Sequence, residues 1–284
     1  MDLSILIATV PPRKKYLNRL LFTLQKQIID NNLQDRIEVI VYEDDFETVI
    51  GYKKNKLYGS ATGKYVVSID DDDMVSDDYC KTLIDVIEDR DVDQISFTHA
   101  YYHNNKEKWI PIITSKENKY YHANFKLIDF YITKYHKERC TDYELHIKNK
   151  PILKVGRNNF FKKLILLLFF KLFSKKITKS TRYSSHTVAL KKEIAQSVKF
   201  TDRLKEEDVE WATEIYRKGL IKTDYVIDRV LYHYFYDDNM SIDRGKQGSL
   251  TKEEKKIVLN KNLSTIKDID WVIQPIDKIN IKWI

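Results

Sequence analysis

The string Ser68-Ile69-Asp70-Asp71-Asp72-Asp73-Met74 holds the densest chemistry in this chain. Four consecutive carboxylates repel one another and are tolerated where water solvates them or a cation shares them. Hard divalent ions with oxygen ligands are the natural neutraliser. An EF-hand loop beginning at Asp70 is excluded, because Met74, Val75 and Lys81 fall where a ligand, a Gly and a Glu are needed. The plainer alternative is an acidic turn at a helix N-terminus, which the helix dipole favours. Two further acidic pairs stand out. Asp44-Asp45 follows an apolar run, as the Asp70 string does. Glu207-Asp208 opens a stretch of helical spacing, where a carboxylate suits general-base work or merely the first turn of a helix. Helical neighbours point about 100° apart, so at most one of that pair acts directly.

These residues need elements to position them. Leu3–Thr9 is an apolar run of strand length, stopped by Pro11 and Pro12. Leu17, Leu20, Leu21, Leu24 and Ile28 then recur at helical spacing. Strands are predicted at 37–42, 65–69 and 94–98, with a helix over 76–88. Alternating strands and helices imply a largely parallel buried sheet, with ligands beyond the carboxyl ends of its strands. After residue 100, Tyr, His and Lys become frequent, periodicity weakens, and a loop-rich substrate region is predicted. Regular structure returns as helices at 191–198 and 206–218 and a strand at 226–235. A charged helix is expected from residue 250, with 269–284 packing back on the body.

Composition narrows the function classes. The 284 residues carry seven Gly, and neither a P-loop nor a G-x-G-x-x-G pattern is present, so phosphates are not held in a glycine cradle. Cys80 and Cys140 are too few for a disulfide framework or a Cys-only zinc site and read as reduced thiols. The N-terminus lacks the basic region of a signal peptide, and no apolar run is long enough to span a bilayer. The net charge of +7 is uneven. Residues 145–192 contain thirteen Lys and Arg and no acid, while the remainder nets −6. Inside that stretch, 164–170 is seven apolar residues in a row, bracketed by Lys162, Lys163 and Lys171. Such a segment is a buried core helix, an interfacial element on anionic lipid, or a contact for another partner.

The ordered set of motifs resembles the family-two glycosyltransferases of the GT-A fold. Ser4-Ile5-Leu6-Ile7-Ala8-Thr9 with Pro11-Pro12-Arg13 looks like their first strand and nucleotide-contacting turn. Val41-Tyr42-Glu43-Asp44-Asp45 looks like the second strand with its base-reading Asp. Lys53-Lys54-Asn55, Ala61-Thr62-Gly63-Lys64-Tyr65 and Ile69-Asp70-Asp71-Asp72-Asp73 look like the lead into a D-x-D motif. Phe200-Thr201-Asp202 with Glu206-Glu207-Asp208-Val209-Glu210-Trp211 resembles the late Glu-Asp motif. Two departures stand out: Lys54 occupies a position where Arg is usual, and Glu206 one where Gly is usual.

The resemblance implies an α/β fold of GT-A type, a single Rossmann-like mixed sheet flanked by helices. It also implies a domain over 1–240, with a nucleotide-sugar half (1–100), an acceptor half (101–240) holding the basic insertion 145–192, and a C-terminal extension (241–284). The implied reaction is metal-dependent, inverting transfer of one sugar from a nucleotide-diphosphate sugar, a UDP-sugar by preference. The acceptor would be a hydroxyl of a glycan or lipid-linked saccharide. Donor contacts would come from Thr9, Pro11, Arg13, Asp44, Asp45, Lys54, Asn55, Asp70 and Asp71. Mn2+ or Mg2+ would be held by Asp70, Asp72 and His233, with His186 a weaker candidate in the same region. Asp208 would be the base, with Glu207 beside it, and Trp211 would stack on a sugar or fill the core. Ser241 and Arg244 would touch phosphate. The processive Gln-x-x-Arg-Trp signature is absent, which favours single transfers. The cysteines and the basic segment suggest a cytoplasmic protein, peripheral on the membrane face through 154–182. Alternatives are a viral-type transferase acting on DNA bases, for which nucleic acid is the less favoured partner, a nucleotidyltransferase, or a non-catalytic sugar-nucleotide-binding module.

Overall fold

A computed structural model of the chain describes residues 1–103, 106–107, 112–114, 119–125, 128–137, 140–147, 150–155, 161–162, 164–165, 168, 180–182, 185–202, 207–236, 279 and 281–284. Strand β1 (Leu3–Thr9) is the centre of the main sheet, because its side chains are apolar on both faces and buried on both. It pairs in parallel with β2 (Ile37–Glu43) on one side and β3 (Tyr65–Ser68) on the other. A short 3-10 turn, Pro11–Arg13, redirects the chain into helix α1 (Lys14–Asp30), whose Leu17, Leu20, Leu21, Leu24 and Ile28 are fully buried against the sheet. The prolines suit that turn, since a fixed φ and a missing N–H cost nothing at a helix start. Helix α2 (Ile50–Ser60) follows β2. The two-residue strand β4 (Met74–Val75) and helix α3 (Tyr79–Asp89) follow the acidic run.

Strand β5 runs from Gln94 to His103, beyond the predicted 94–98. Short strands β6 (Lys106–Glu107) and β7 (Ile112–Thr114) pair with it. The loop-rich region predicted after residue 100 is instead rich in strands. Strands β8 (Lys119–Phe125), β9 (Ile128–Lys137), β10 (Cys140–Ile147) and β11 (Lys150–Val155) form a separate antiparallel sheet. Their pairs Phe125↔Ile128, Lys137↔Cys140 and Ile147↔Lys150 leave two residues between consecutive strands. None of those pairs of residues is the Asn-Gly or Asp-Gly that announces a hairpin. The acid-free stretch 145–192 therefore does not coincide with a structural unit: it begins inside β10 and ends at Lys192, where a helix starts.

Strand β12 (Ser180–Arg182) joins β7, and β13 (Ala189–Lys191) inserts antiparallel between β3 and β5. Helices α4 (Lys192–Gln196) and α5 (Glu207–Arg217) cover the face opposite α1 and α3. Strand β14 (Asp224–Tyr236) then pairs with β5 and, at Tyr232 and His233, with β4. Strand β15 (Ile281–Trp283) adds a parallel edge beyond β2, so the end of the chain does pack back on the body. The helix expected from residue 250, and Ser241 and Arg244, lie outside the described residues. The whole is a mixed α/β architecture with helices on both faces of the main sheet, as the sequence implied.

Helix α2 approaches its neighbour closely through Gly51, where an added Cβ would lie 2.0 Å from the carbonyl oxygen of Thr201. One helical turn further on, Asn55 clamps the same segment. Its amide donates to the Phe200 carbonyl (2.8 Å) and accepts the Phe200 N–H (2.9 Å). Gly51→Ala should therefore cost about 1–3 kcal/mol through overpacking. Gly59→Ala, in the same helix with open space around it, should gain about 0.5–1 kcal/mol. Urea unfolding of the two variants checks the pair, and a stabilised Gly51→Ala would refute the contact.

Candidate active site

Parallel register puts Thr9 beside Glu43 and Leu6 beside Ser68, so β1, β2 and β3 all end on one edge. Antiparallel β13 presents its N-terminal approach at that same edge, and α5 begins there too. The residues beyond these ends make the site.

At the end of β2, Asp44 accepts the Thr48 N–H (2.8 Å) and hydroxyl (2.5 Å) and is ion-paired with the buried Lys53. Burial opposes its ionisation, but Lys53 and Thr48 hold its carboxyl below the usual range. Asp45 lies in the same bend, where Phe46 adopts a left-handed φ of 60°. Lys53 also donates to the Thr9 carbonyl (3.1 Å), tying α2 to the end of β1.

The acidic run folds as a turn after β3, with the Asp73 N–H donating to the Asp70 carbonyl (3.1 Å). Each carboxylate has its own partners. Asp71 is buried and accepts the Thr9 hydroxyl (2.6 Å), with an Arg13 nitrogen at 2.8 Å. Arg13 also pairs with Asp72, so this one guanidinium bridges two carboxylates. Arg19 donates to the Asp72 carbonyl oxygen (3.0 Å). Asp73 is fully buried and accepts the Tyr232 hydroxyl (2.6 Å) and the Phe235 N–H (2.8 Å). Burial and the neighbouring carboxylates push the Asp71 carboxyl up to about 7, Arg13 notwithstanding. The same causes push Asp72 up, and Asp73 well above the ordinary value. Asp71 and Asp73 are thus packed groups, not solvated neighbours.

Asp70 behaves differently. Burial disfavours its charge, but His186 and Lys54 outweigh burial and hold its carboxyl below the ordinary range. His186 Nε2 is 3.3 Å from Asp70, and His186 Nδ1 is 3.4 Å from Asp208. Asp208 sits in the first turn of α5, accepts the Val209 N–H (2.8 Å), and is likewise held low by His186 and Lys54 against burial. Glu207 is turned inward to Lys54 (2.8 Å), and both are buried. Of the acidic pair, Asp208 is the member that reaches the crevice.

The other predicted residues are placed as follows. Pro11 is exposed in the turn that carries Arg13. Asn55 spends both ends of its amide on Phe200. Trp211 is core: it stacks on Phe200 (4.8 Å, 10°), and its indole N–H points to the carbonyls of Ala195 and Val198. Alternation along β14 sends Tyr232 to the acidic turn, while His233 Nδ1 lies 3.2 Å from the Tyr102 hydroxyl. Lys53, Arg19 and Tyr232 join the site without a sequence signal beyond their nearness to Lys54, α1 and His233.

No protein-family profile and none of the curated proteins matches this sequence. Solved structures do. The crystal structure of S. aureus TarS 1–349 in complex with UDP-GlcNAc matches with a TM-score of 0.50 at 15% identity, over 94% of this chain and 68% of that one. The fold is that of the GT-A glycosyltransferases. A second crystal structure of TarS 1–349 (TM-score 0.49, 16% identity, 83% of this chain) and one of TarS (0.48, 15%, 93%) match alongside it. This chain spans 60% and 43% of those two structures. At such identities the likeness assigns the fold alone.

The buried Lys54–Glu207 pair generates a prediction within this fold. Removing one partner strands a charge in the core, so Lys54→Met should cost about 3–5 kcal/mol. Lys54→Met combined with Glu207→Leu should recover most of that loss. Chemical denaturation decides it, and a single variant as stable as the parent would contradict the buried pair.

Proposed function

We propose that this protein is a metal-dependent inverting glycosyltransferase. It moves one sugar from a nucleotide-diphosphate sugar to a hydroxyl of a glycan or lipid-linked saccharide. The observation that carries this reading is the convergence of Asp70, from the acidic turn, and Asp208, from the start of α5, on either side of one histidine. A UDP-sugar is the donor class, supported by the UDP-GlcNAc bound in the TarS structure of like fold.

Asp208, ionised at neutral pH, takes the proton of the acceptor hydroxyl. The acceptor oxygen bonds to the anomeric carbon from the face opposite the diphosphate. The bond from that carbon to the diphosphate oxygen breaks, and its electron pair leaves with the nucleotide. Arg13 and Lys54 add fixed positive charge near the leaving group.

The donor set fits a hard cation. Asp70 and Asp72 offer oxygens next to carboxylates whose ionisation is opposed by burial and by one another's charge. Among the described residues no three His, Cys, Asp or Glu converge on a metal position. Mg2+ commonly binds through one or two carboxylates plus substrate phosphates, so two carboxylates suffice. Mn2+ or Mg2+ held by Asp70 and Asp72 would supply charge stabilisation to the departing diphosphate.

The acceptor class is supported by the basic segment. Phe161, Leu164, Ile165 and Leu168 are helical and 75%, 43%, 52% and 52% exposed. Their spacing places them on one helix face. An apolar stripe amid lysines suits peripheral contact with anionic lipid on the cytoplasmic face, where lipid-linked acceptors lie. That exposure conflicts with a core role for these four side chains. No helix among the described residues is long and apolar enough to cross a membrane.

The test is sugar release and transfer from a panel of UDP-sugars with Mn2+ or Mg2+, with and without EDTA. Asp72→Ala and Asp208→Asn should each lower turnover by about 10²-fold or more. Full turnover by either variant, or turnover indifferent to EDTA, would reject the corresponding assignment. Transfer of the nucleotide in place of the sugar, read by mass spectrometry, would replace this reading with a nucleotidyltransferase.

A further inference from the structure

We infer that His186 is the positioning residue that sets the distance and orientation of Asp208 relative to Asp70, and so joins the acceptor side of the site to the donor side. The inference rests on the glycosyltransferase reading for its kinetics but not for its geometry. His186 is buried, and each ring nitrogen faces a carboxylate, Asp70 at 3.3 Å and Asp208 at 3.4 Å. Those two residues lie 138 positions apart and arrive on different elements. Lys54 also acts on both through its charge, but its ammonium is held by Glu207 (2.8 Å).

The ring can act as a spacer because its own backbone is fixed. The His186 carbonyl accepts the Ser68 N–H (3.0 Å), at the last residue of β3. Next to it, buried Thr187 lies 2.9 Å from His99 Nε2 and 2.7 Å from the Ser185 hydroxyl. The turn that delivers His186 is therefore pinned to β3 and β5 before the ring meets either carboxylate. Among the described residues, the contacts of Asp208 are its own helix start and His186, with the charge of Lys54 nearby but its ammonium engaged by Glu207. Without the ring, two carboxylates would face each other across a gap, and Asp208 would be free to choose another rotamer. A base displaced by about 1 Å from its proton loses on the order of 10²-fold in rate.

Two measurements on the full chain test this. The first is thermal unfolding of the parent, His186→Ala, Asp208→Asn and the double variant. Asp208→Asn should lower Tm in the parent, where it removes a partner of His186. In the His186→Ala background it should leave Tm level or raise it, because there it relieves repulsion. Equal shifts in the two backgrounds would overturn the proposal, whatever reaction the protein performs. Should His186→Ala fail to fold, His186→Gln, which keeps bulk and one donor, takes its place in the cycle. The second is steady-state kinetics with a UDP-sugar. His186→Ala should lower kcat at least about tenfold with donor KM changed less than about threefold. His186→Gln should recover part of the loss, and His186→Ala should add nothing in the Asp208→Asn background. A raised donor KM with kcat intact would make His186 a donor contact and refute the positioning role. An inert parent across all nucleotide-sugars would reject the glycosyltransferase reading, while the unfolding cycle still decides the bridge.

Discussion

Four consecutive carboxylates, Asp71 and Asp73 buried and Asp70 and Asp72 partly so, are the constraint that the rest of this structure answers. A charge in a low-dielectric setting is tolerated only with partners, and the partners here come from every part of the fold. The hydroxyl of Thr9 comes from β1, Arg13 and Arg19 from the first turns after it, Lys54 from α2, His186 from the approach to β13, and Tyr232 and the Phe235 N–H from β14. The four are not treated alike. Burial and neighbouring carboxylates push the carboxyls of Asp71, Asp72 and Asp73 up, whereas His186 and Lys54 hold that of Asp70 down. One acidic string thus supplies two buried hydrogen-bonding groups, Asp71 and Asp73, and a partly exposed carboxylate, Asp70.

The site lies where elementary sheet geometry puts it. Parallel strands share the direction of their carboxyl ends, so β1, β2 and β3 deliver Thr9, Asp44 and the acidic turn to one edge. An antiparallel strand reaches that edge with its opposite end. β13 is such a strand, and it brings a residue that precedes it, His186, to the place where β3 finishes. The N-terminus of α5 completes the arrangement with Asp208. Glu207 turns to the interior and Asp208 to the crevice because neighbours on a helix diverge by about 100°.

Much of this was legible in the sequence, for definable reasons. Continuous apolar runs marked β1, β2 and β3, and the helical spacing of Leu17 to Ile28 marked α1. Acidic residues directly after buried strands marked the candidate site, and their order marked the fold. What was obscure lacked a local signal. Helix α2 buries Lys53 and Lys54 along with Leu57, so its inward face does not read as apolar. The hairpins between β8 and β11 have connections without the usual turn residues, and their Tyr, Lys and His content masked the strand alternation. His186 is a single His ahead of a three-residue strand, and only the tertiary pairing of β13 with β3 gives it a role. On β14 the sequence drew attention to His233, but strand alternation gives the acidic turn Tyr232.

The bond between Tyr232 and Asp73 spans 159 residues of sequence. As the chain emerges during synthesis, β1 to β3 can pair early, since their contacts are comparatively local. The Asp73 carboxylate then stays hydrated until β14 arrives to cover it. Closing that long loop and desolvating Asp73 are the same event, so this part of the site is completed only when β14 docks. Chains halted before that strand would hold most of the sheet and none of the finished crevice.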